Sequence, residues 1–506
     1  QTTVTSNSAG GVAVFTPSDG ITLNQQTPLN KWAKLVPDLA KALADAGFKK
    51  GDINHTTSDS LDKQSRAIQD FVVDHLSNNT TDDSGIAIAP DNMTLLVAPV
   101  VEADASTRQY GDYVSQNLST NDVTDEGATS DGESSEDDSS KDDSSNTESD
   151  STASDEQAQA VDRLVSSLKL AKESGMHVVL LGNSIEGYKP DAFVKFSDAQ
   201  TIGKLQAEKM VSKLKLDKAS KDNPKYIEVL LPYTAVDEKG NANDSTFAQE
   251  AFRGIWQVLG SYYQKGVVES PSGTLDGKST ENDWQAVAYD AAKEGSTAKV
   301  LDKRLAKTDG QSTLTRIDGI ITMNDYIASE VVKELDDLGY TGSAADINPQ
   351  ITISGIVGNI TGKKDLSRDA VPDPIKSPEN DNANDSSSSD DDADEDTSAS
   401  DKDRDSQWPL VTGYGAYVSN IPSIVNGKQW MTGMEDRQTI ATDIAQACAK
   451  LNKDEALNSM PSIRNSEVGG VKKIPTISEP LLAVSASNLK SALIDPGYIS
   501  LADAGL

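Results

Sequence analysis

Short apolar runs recur along this chain, each followed by an amphipathic stretch of helical period, and this alternation restricts the possible folds most severely. Val12–Phe15, Thr94–Val101, Val178–Leu181, Tyr226–Leu231, Gly319–Met323, Ile351–Ser354 and Leu410–Thr412 read as strands. Between and around them, Trp32–Ala46, Leu61–Leu76, Ala160–Ser174, Thr201–Leu214, Thr246–Leu259, Trp284–Leu305, Tyr326–Leu338 and Thr439–Leu451 read as helices. In Ala160–Ser174, for example, Val161, Leu164, Val165, Leu168 and Ala171 fall on one face, and Gly175 stops the run. Strands that are apolar throughout, rather than at alternate positions, belong to parallel sheets covered on both faces. So many elements exceed one small sheet. The fold class is therefore α/β, with two doubly wound parallel-sheet lobes.

Ligands of doubly wound sheets bind outside the carboxyl ends of the strands. Function is therefore to be sought in Thr16–Trp32, Pro99–Glu102, Gly182–Gly187, Pro232–Phe247, Asn324–Asp325 and Gly413–Tyr417.

Charge narrows the partners. The 506 residues carry a formal net charge of −34. Two Ser/Asp-rich tracts account for most of it: 121–160 carries −13 and 381–405 carries −9, leaving −12 over the other 441 residues. Such tracts bury too little apolar surface to offset their ordering entropy, so both read as disordered insertions, over 121–159 and 373–407. Neither holds the Asp-rich loop with a distal Glu that binds calcium, and no metal or cofactor is expected. The acidic balance disfavours nucleic acid and a basic membrane-binding patch. No apolar run reaches the roughly 18–20 residues of a membrane-spanning helix. The single cysteine, Cys448, excludes an internal disulfide and reads as a small buried residue of a helix. The chain opens at Gln1 with eleven Ser/Thr/Gly-rich residues, which reads as a flexible tether on a processed form without its targeting segment.

No catalytic constellation stands out. The three histidines, His55, His75 and His177, are scattered. Gly355–Lys364 only superficially follows a phosphate loop, since Val357 occupies the place of its first glycine. The residues after the strands are more informative. Asn324 and Asp325 can together donate to and accept from adjacent hydroxyls, although Asp325 is equally suited to cap the helix that follows. Trp32 and Trp284 each open a helix, where an aromatic face can stack on a sugar ring; mid-helix Trp256 reads as core.

Taken together, these residues resemble the bacterial sugar-binding proteins of ABC importers, in the xylose-, glucose- and galactose-binding branch of the type I periplasmic binding proteins. The C-terminal stretch Ile474–Leu506 is similar to that family's closing strand, Asn-Leu helix and Gly-Tyr tail. Asp198, Gly203, Leu205 and Gln206 resemble its first inter-lobe crossing, Lys31–Trp32 its basic-Trp pair, Asn324–Asp325 its Asn-Asp sugar contact and Trp284 its stacking tryptophan. Val411–Thr412–Gly413 with Ile424–Gln429 resembles its Val-Thr-Gly strand and following helix. The chain departs from the family at Gly182–Asn183, where an Asp-Arg pair is usual, and at Gly413–Tyr414–Gly415, where Gly-Gln-Asp is usual. The first loop, Pro17–Trp32, is longer than usual and can lend Asp19, Asn24 or Gln25 to a site.

The resemblance implies two lobes joined by a three-segment hinge, with crossings near Val194–Asp198, Met434–Arg437 and Lys473–Glu479. The N-terminal lobe would comprise 12–196 and 437–474, and the other lobe 197–436 and 475–506. It implies a protein that is not an enzyme and has no cofactor. Such a protein captures a mono- or small oligosaccharide by hinge closure and passes it to an ABC importer permease. Lys31, Trp32 and Asn183 would hold the ligand from one lobe, and Trp284, Asn324, Asp325 and Tyr414 from the other. It further implies an extracytoplasmic monomer, tied to the membrane only through a lipid anchor outside this chain. A ligand sensor of the same fold, signalling to a membrane receptor, is the alternative. A glycoside hydrolase finds no support, and a repressor is disfavoured because no helix-turn-helix precedes Val12.

Overall fold

The computed structural model describes residues 8–19, 29–77, 88–102, 105–120, 145–344 and 401–506. Its largest element is a seven-stranded sheet. β1 (Gly11–Pro17), β2 (Ile53–Ser58), β3 (Met93–Val97), β5 (His177–Leu181), β7 (Ala192–Lys195), β15 (Ile463–Val468) and β16 (Val471–Ser478) lie in the order β15-β16-β7-β5-β3-β1-β2. All are parallel except β15, which forms an antiparallel hairpin with β16 at one edge. A second sheet orders β8 (Lys225–Val229), β10 (Val268–Glu269), β12 (Gly319–Ile321) and β13 (Leu410–Val411) as β10-β8-β12-β13. Among the described residues three two-stranded pairs complete the set: β4 (Asn117–Leu118) with β6 (Ser184–Ile185), β9 (Leu231–Pro232) with β11 (Ala288–Tyr289), and β14 (Met431–Met434) with β17 (Leu482–Ser485).

The helices cover both sheets. They are α1 (Trp32–Asp45), α2 (Leu61–Ser77), α3 (Ala105–Arg108), α4 (Ser145–Glu173), α5 (Ala199–Lys213), α6 (Thr246–Gln264), α7 (Ser296–Arg304), α8 (Asp325–Leu338), α9 (Asp401–Asp405), α10 (Ile421–Val425) and α11 (Arg437–Asn452). Because successive side chains of a strand point to opposite faces, Val12 and Val14 of β1 pack under α1 and α11, while Ala13 and Phe15 pack with α2 and α4. Both faces are apolar, which is why β1 reads as an unbroken apolar run. Cys448 is fully buried in the α11 layer.

The chain passes between the sheets three times: after Lys195 into α5, after Met434 into α11, and after Ser478 into β17. The third passage follows the 474–475 boundary read from sequence, because Thr476–Ser478 still pair with Phe193–Lys195 of β7. This is the two-lobed α/β architecture expected from the alternation. Other expectations shift. α4 begins at Ser145, inside the tract read as disordered to 159, as the helix anchored by Val161, Leu164 and Leu168 propagates toward its N-terminus. α9 likewise lies inside 373–407. The helix expected over Trp284–Leu305 breaks into a 3-10 turn (Asp283–Ala286), β11 and α7, because β11 pairs with β9 and Gly295 takes φ 78° before α7. The strand expected at Ile351–Ser354 and the loop residues Asn24 and Gln25 fall outside the described residues.

α5 and α6 meet backbone to backbone. A Cβ on Gly254 would stand 2.1 Å from the Gln200 carbonyl oxygen, and one on Gly203 would stand 2.4 Å from that of Ala251. Gly254→Ala should therefore lower stability by about 1–3 kcal/mol, although alanine favours a helix. Urea denaturation measures it; an unchanged midpoint would show that the helices can separate freely.

Candidate functional site

Each sheet has a point where the chain reverses its direction of growth: between β1 and β3 in the large sheet, and between β8 and β12 in the small one. The segments that leave these strands at their carboxyl ends meet across the two lobes. Gln109, after β3, accepts at Oε1 from Asn324 Nδ2 at 3.0 Å, and its carbonyl accepts from the Tyr417 hydroxyl at 2.6 Å. Leu29 N–H donates to the Gly415 carbonyl at 3.1 Å. The Asn30 amide donates to the Tyr414 hydroxyl at 3.4 Å, and that hydroxyl donates to Glu435 Oε1 at 3.3 Å.

Asn324 caps α8, accepting from Ile327 N–H at 2.9 Å. The residue before it, Met323, has φ 74°, a left-handed conformation that costs a side-chain-bearing residue free energy unless its surroundings hold it. Gln206 does so, accepting from Met323 N–H at 3.1 Å and donating to its carbonyl at 3.0 Å. Asp325 is buried and turned into its own lobe. Its carboxylate accepts from Tyr417 N–H at 2.9 Å, Gln429 Nε2 at 2.8 Å and Thr432 Oγ1 at 2.8 Å. Burial pushes its pKa up to about 6 despite these donors. The glycine at 413 is required here: a Cβ would lie 2.4 Å from Asp325 Oδ1 and 2.5 Å from Gln429 Nε2.

The junction is rich in aromatic rings and in buried polar atoms without well-formed hydrogen bonds. Tyr110 packs its ring 4.7 Å from Phe247 and 6.3 Å from Tyr414. Asn30 Oδ1, Tyr110 Oη, Ser197 Oγ and Glu435 Oε2 are all buried without a well-formed hydrogen bond, although Ser197 lies beside Glu435 and Asn324 beside Tyr110. The four atoms come from the segments after β1 and β3, the first crossing and the second crossing. Burial also raises the Glu435 carboxyl to about 7.

The residues singled out from sequence are not gathered in one place. Asn324, Asp325 and Tyr414 come together, and Lys31 neighbours Asn30. Lys31 itself pairs with Asp112 at 3.5 Å. Trp32 is 3% exposed, packed edge-on against Tyr113 and Phe196 in the core of the large sheet. Asn183 is buried too, donating to the Pro99 carbonyl at 3.0 Å and accepting from Gln116 N–H at 3.1 Å. Trp284 is half-buried on a separate aromatic contact, edge-to-face with Tyr233 at 5.1 Å. Each histidine has a local partner: His55 bonds Thr16, His75 the Ile88 carbonyl and His177 the Asp91 carbonyl. Sequence reasoning missed Gln109 and Tyr110, and it did not single out Asn30, Ser197, Tyr417 and Glu435 within the segments it had named. One signal was available, Tyr110 and Tyr113 on either side of Gly111–Asp112 in the segment after β3.

No family model matches the chain, and no curated protein matches it. Solved structures do. An ABC transporter solute-binding protein from Clostridium phytofermentans with bound β-D-glucose is 16% identical, over 97% of this chain and 99% of that one, with a TM-score of 0.46. A carbohydrate transporter solute-binding protein from Chloroflexus aurantiacus in complex with D-glucose is 17% identical, over 98% of each chain, with a TM-score of 0.45. A periplasmic ribose ABC transporter protein from Conexibacter woesei is 13% identical over 96% of each chain, with a TM-score of 0.43. These three are ABC transporter proteins, two of them with bound glucose, at low sequence identity to this chain.

Proposed function

We propose that this chain is an extracytoplasmic solute-binding protein that captures a saccharide between its lobes and delivers it to an ABC importer permease. One observation carries the reading: Asn30 Oδ1, Tyr110 Oη, Ser197 Oγ and Glu435 Oε2 are buried without a well-formed hydrogen bond where the two lobes meet. Buried polar atoms are almost always satisfied, and leaving one unpaired costs about 1–3 kcal/mol. A ligand bearing several hydroxyls can donate to the two carbonyl-type oxygens and exchange hydrogen bonds with the two hydroxyls. The rings of Tyr110, Tyr414 and Tyr417 offer apolar faces to its C–H groups. Asn324 and Tyr414 would touch the sugar, and Asp325 would position the 413–417 turn. Lys31, Trp32 and Asn183 would support the wall on one side, and Trp284 on the other. Closure would be a population shift, since a ligand bridging both lobes favours the state in which they touch. The protein would act as a monomer, held at the membrane by a lipid anchor.

A thermal-shift screen against pentoses, hexoses, their glycosides and short oligosaccharides tests this. At 100 times its dissociation constant a ligand adds about 2.7 kcal/mol, a rise of a few degrees in Tm. Tyr414→Phe keeps the ring and removes the hydroxyl, and should shrink that rise. If ligand-free protein shows no shift with any saccharide, the reading fails.

A further inference from the structure

The segment that leaves β3 serves both lobes at once. It is fastened to the large-sheet lobe, where Asp112 N–H donates to the Asn30 carbonyl at 2.8 Å and Ser115 Oγ to the Gly182 carbonyl at 2.6 Å. Tyr113 lies in that lobe's core beside Trp32 and Phe196. Other side chains of the same segment point the opposite way. Tyr110 and Val114, 1% and 4% exposed, belong to the apolar core of the small-sheet lobe, with Phe252 and Tyr414. A segment of one lobe completes the core of the other only while the two lobes touch.

Polar contacts extend the same bridge. Gln109 accepts from the Asn324 amide at 3.0 Å through Oε1 and from the Tyr417 hydroxyl at 2.6 Å through its carbonyl. Gly415 has φ 118°, and a Cβ there would stand 2.8 Å from the Tyr417 ring, so glycine is what lets that ring lie toward Gln109. With the segment seated, Asn324, Tyr414 and Tyr417 are 0%, 0% and 2% exposed. These are groups proposed above to hold the saccharide. No solute of that size reaches them from water in this state.

We infer that Gln109–Val114 is a strap: seated in the small-sheet lobe it holds the sugar-free protein closed, and a saccharide enters only while the strap is withdrawn. Withdrawal exposes Tyr110 and Val114 to water, which opposes it. It also frees the Asn324 amide and the Tyr417 hydroxyl, two donors that a ligand's oxygens can then accept from. The strap and the saccharide thus compete for the same groups, and the strap sets the rate of entry. Gln109 is a positioning residue here. It is only half-buried, so truncating its side chain removes one hydrogen bond across the junction and leaves both cores packed.

This inference rests on the hinge-closure reading, but its first test needs no sugar. Gln69→Cys and Lys303→Cys place dyes on exposed sites, one in each lobe, and Cys448 is too buried to label. In ligand-free protein, single-molecule energy transfer should show mainly a short-distance population. Gln109→Ala should raise the ratio of long-distance to short-distance molecules about fivefold, as expected for one net hydrogen bond. Val114→Ala should act in the same direction, while Gln109→Glu, which keeps an acceptor for Asn324, should stay near the parent. Any pentose or hexose that binds should associate about fivefold faster with Gln109→Ala, because entry follows the open population. A long-distance population that dominates in the parent overturns the strap, as does a distribution that neither Gln109→Ala nor Val114→Ala alters. The expected distributions with no pentose or hexose bound would keep the strap and remove the sugar. Saccharide binding at a rate unchanged by Gln109→Ala would keep the sugar and remove the strap.

Discussion

Asp325→Ala should lower the stability of this protein by about 3–5 kcal/mol and, on the function proposed above, eliminate saccharide capture. The carboxylate is the acceptor for three donors, Tyr417 N–H, Gln429 Nε2 and Thr432 Oγ1. Removing it leaves Tyr417 N–H and Thr432 Oγ1 buried without that acceptor, beside the turn that presents Tyr414. Asp325→Asn should cost less, because one oxygen still accepts, but its NH₂ group then faces donors. The native acid should also leave a pH signature. With its folded pKa near 6 and an unfolded value near 3.9, the folded state binds the proton first as pH falls. This group's contribution therefore becomes more favourable from pH 7 down to about pH 4, and Asp325→Asn should remove that component. Urea denaturation across this range reads both effects. A loss below about 1 kcal/mol for Asp325→Ala, with saccharide binding retained, would mean that the donors find water instead.

Arg304→Met should be equally severe, at about 3–5 kcal/mol, because it strands a charge in the middle of the small sheet. Glu228, on β8, is fully buried, and its carboxylate accepts from Arg304 Nη1 at 3.1 Å, Ser272 N–H at 3.0 Å and Ser272 Oγ at 2.9 Å. Burial already raises the Glu228 carboxyl above its usual range, with Arg304 opposing the shift. Without the guanidinium the carboxyl must protonate or remain uncompensated. The reverse change should be cheaper. Arg304 also donates to the carbonyls of Val229 and Val287, so Glu228→Gln leaves the guanidinium with acceptors. A double variant should recover part of the Arg304→Met loss. Equal costs for Arg304→Met and Glu228→Gln in urea melts would refute this asymmetry.

The fold was legible because its signal is local. The apolar run of β1 and the Trp32, Leu35, Leu39, Leu43 spacing of α1 each lie within a short window, and each element needs only that window to select its period. Where a tertiary pairing competes, the local reading fails. β11 withdraws Ala288–Tyr289 from a helix because β9 offers a partner, and β16 continues to Ser478 because β7 does.

The site was legible only in part, for a related reason. That Asn324 and Asp325 end a strand and open a helix is a local fact, readable from the apolar run before them. Which way their side chains point is not. Asp325 turns inward because Tyr417, Gln429 and Thr432 supply donors there, and Trp32 is taken into the core because Tyr113 and Phe196 surround it. The sequence by itself determined a two-lobed α/β chain, a buried Cys448 and the strand ends that border the candidate site. Only the tertiary structure brought Asn30, Tyr110, Ser197, Tyr414 and Glu435 together. Periodicity is encoded over a few residues, whereas the satisfaction of a buried polar atom depends on groups that meet only once both sheets are packed.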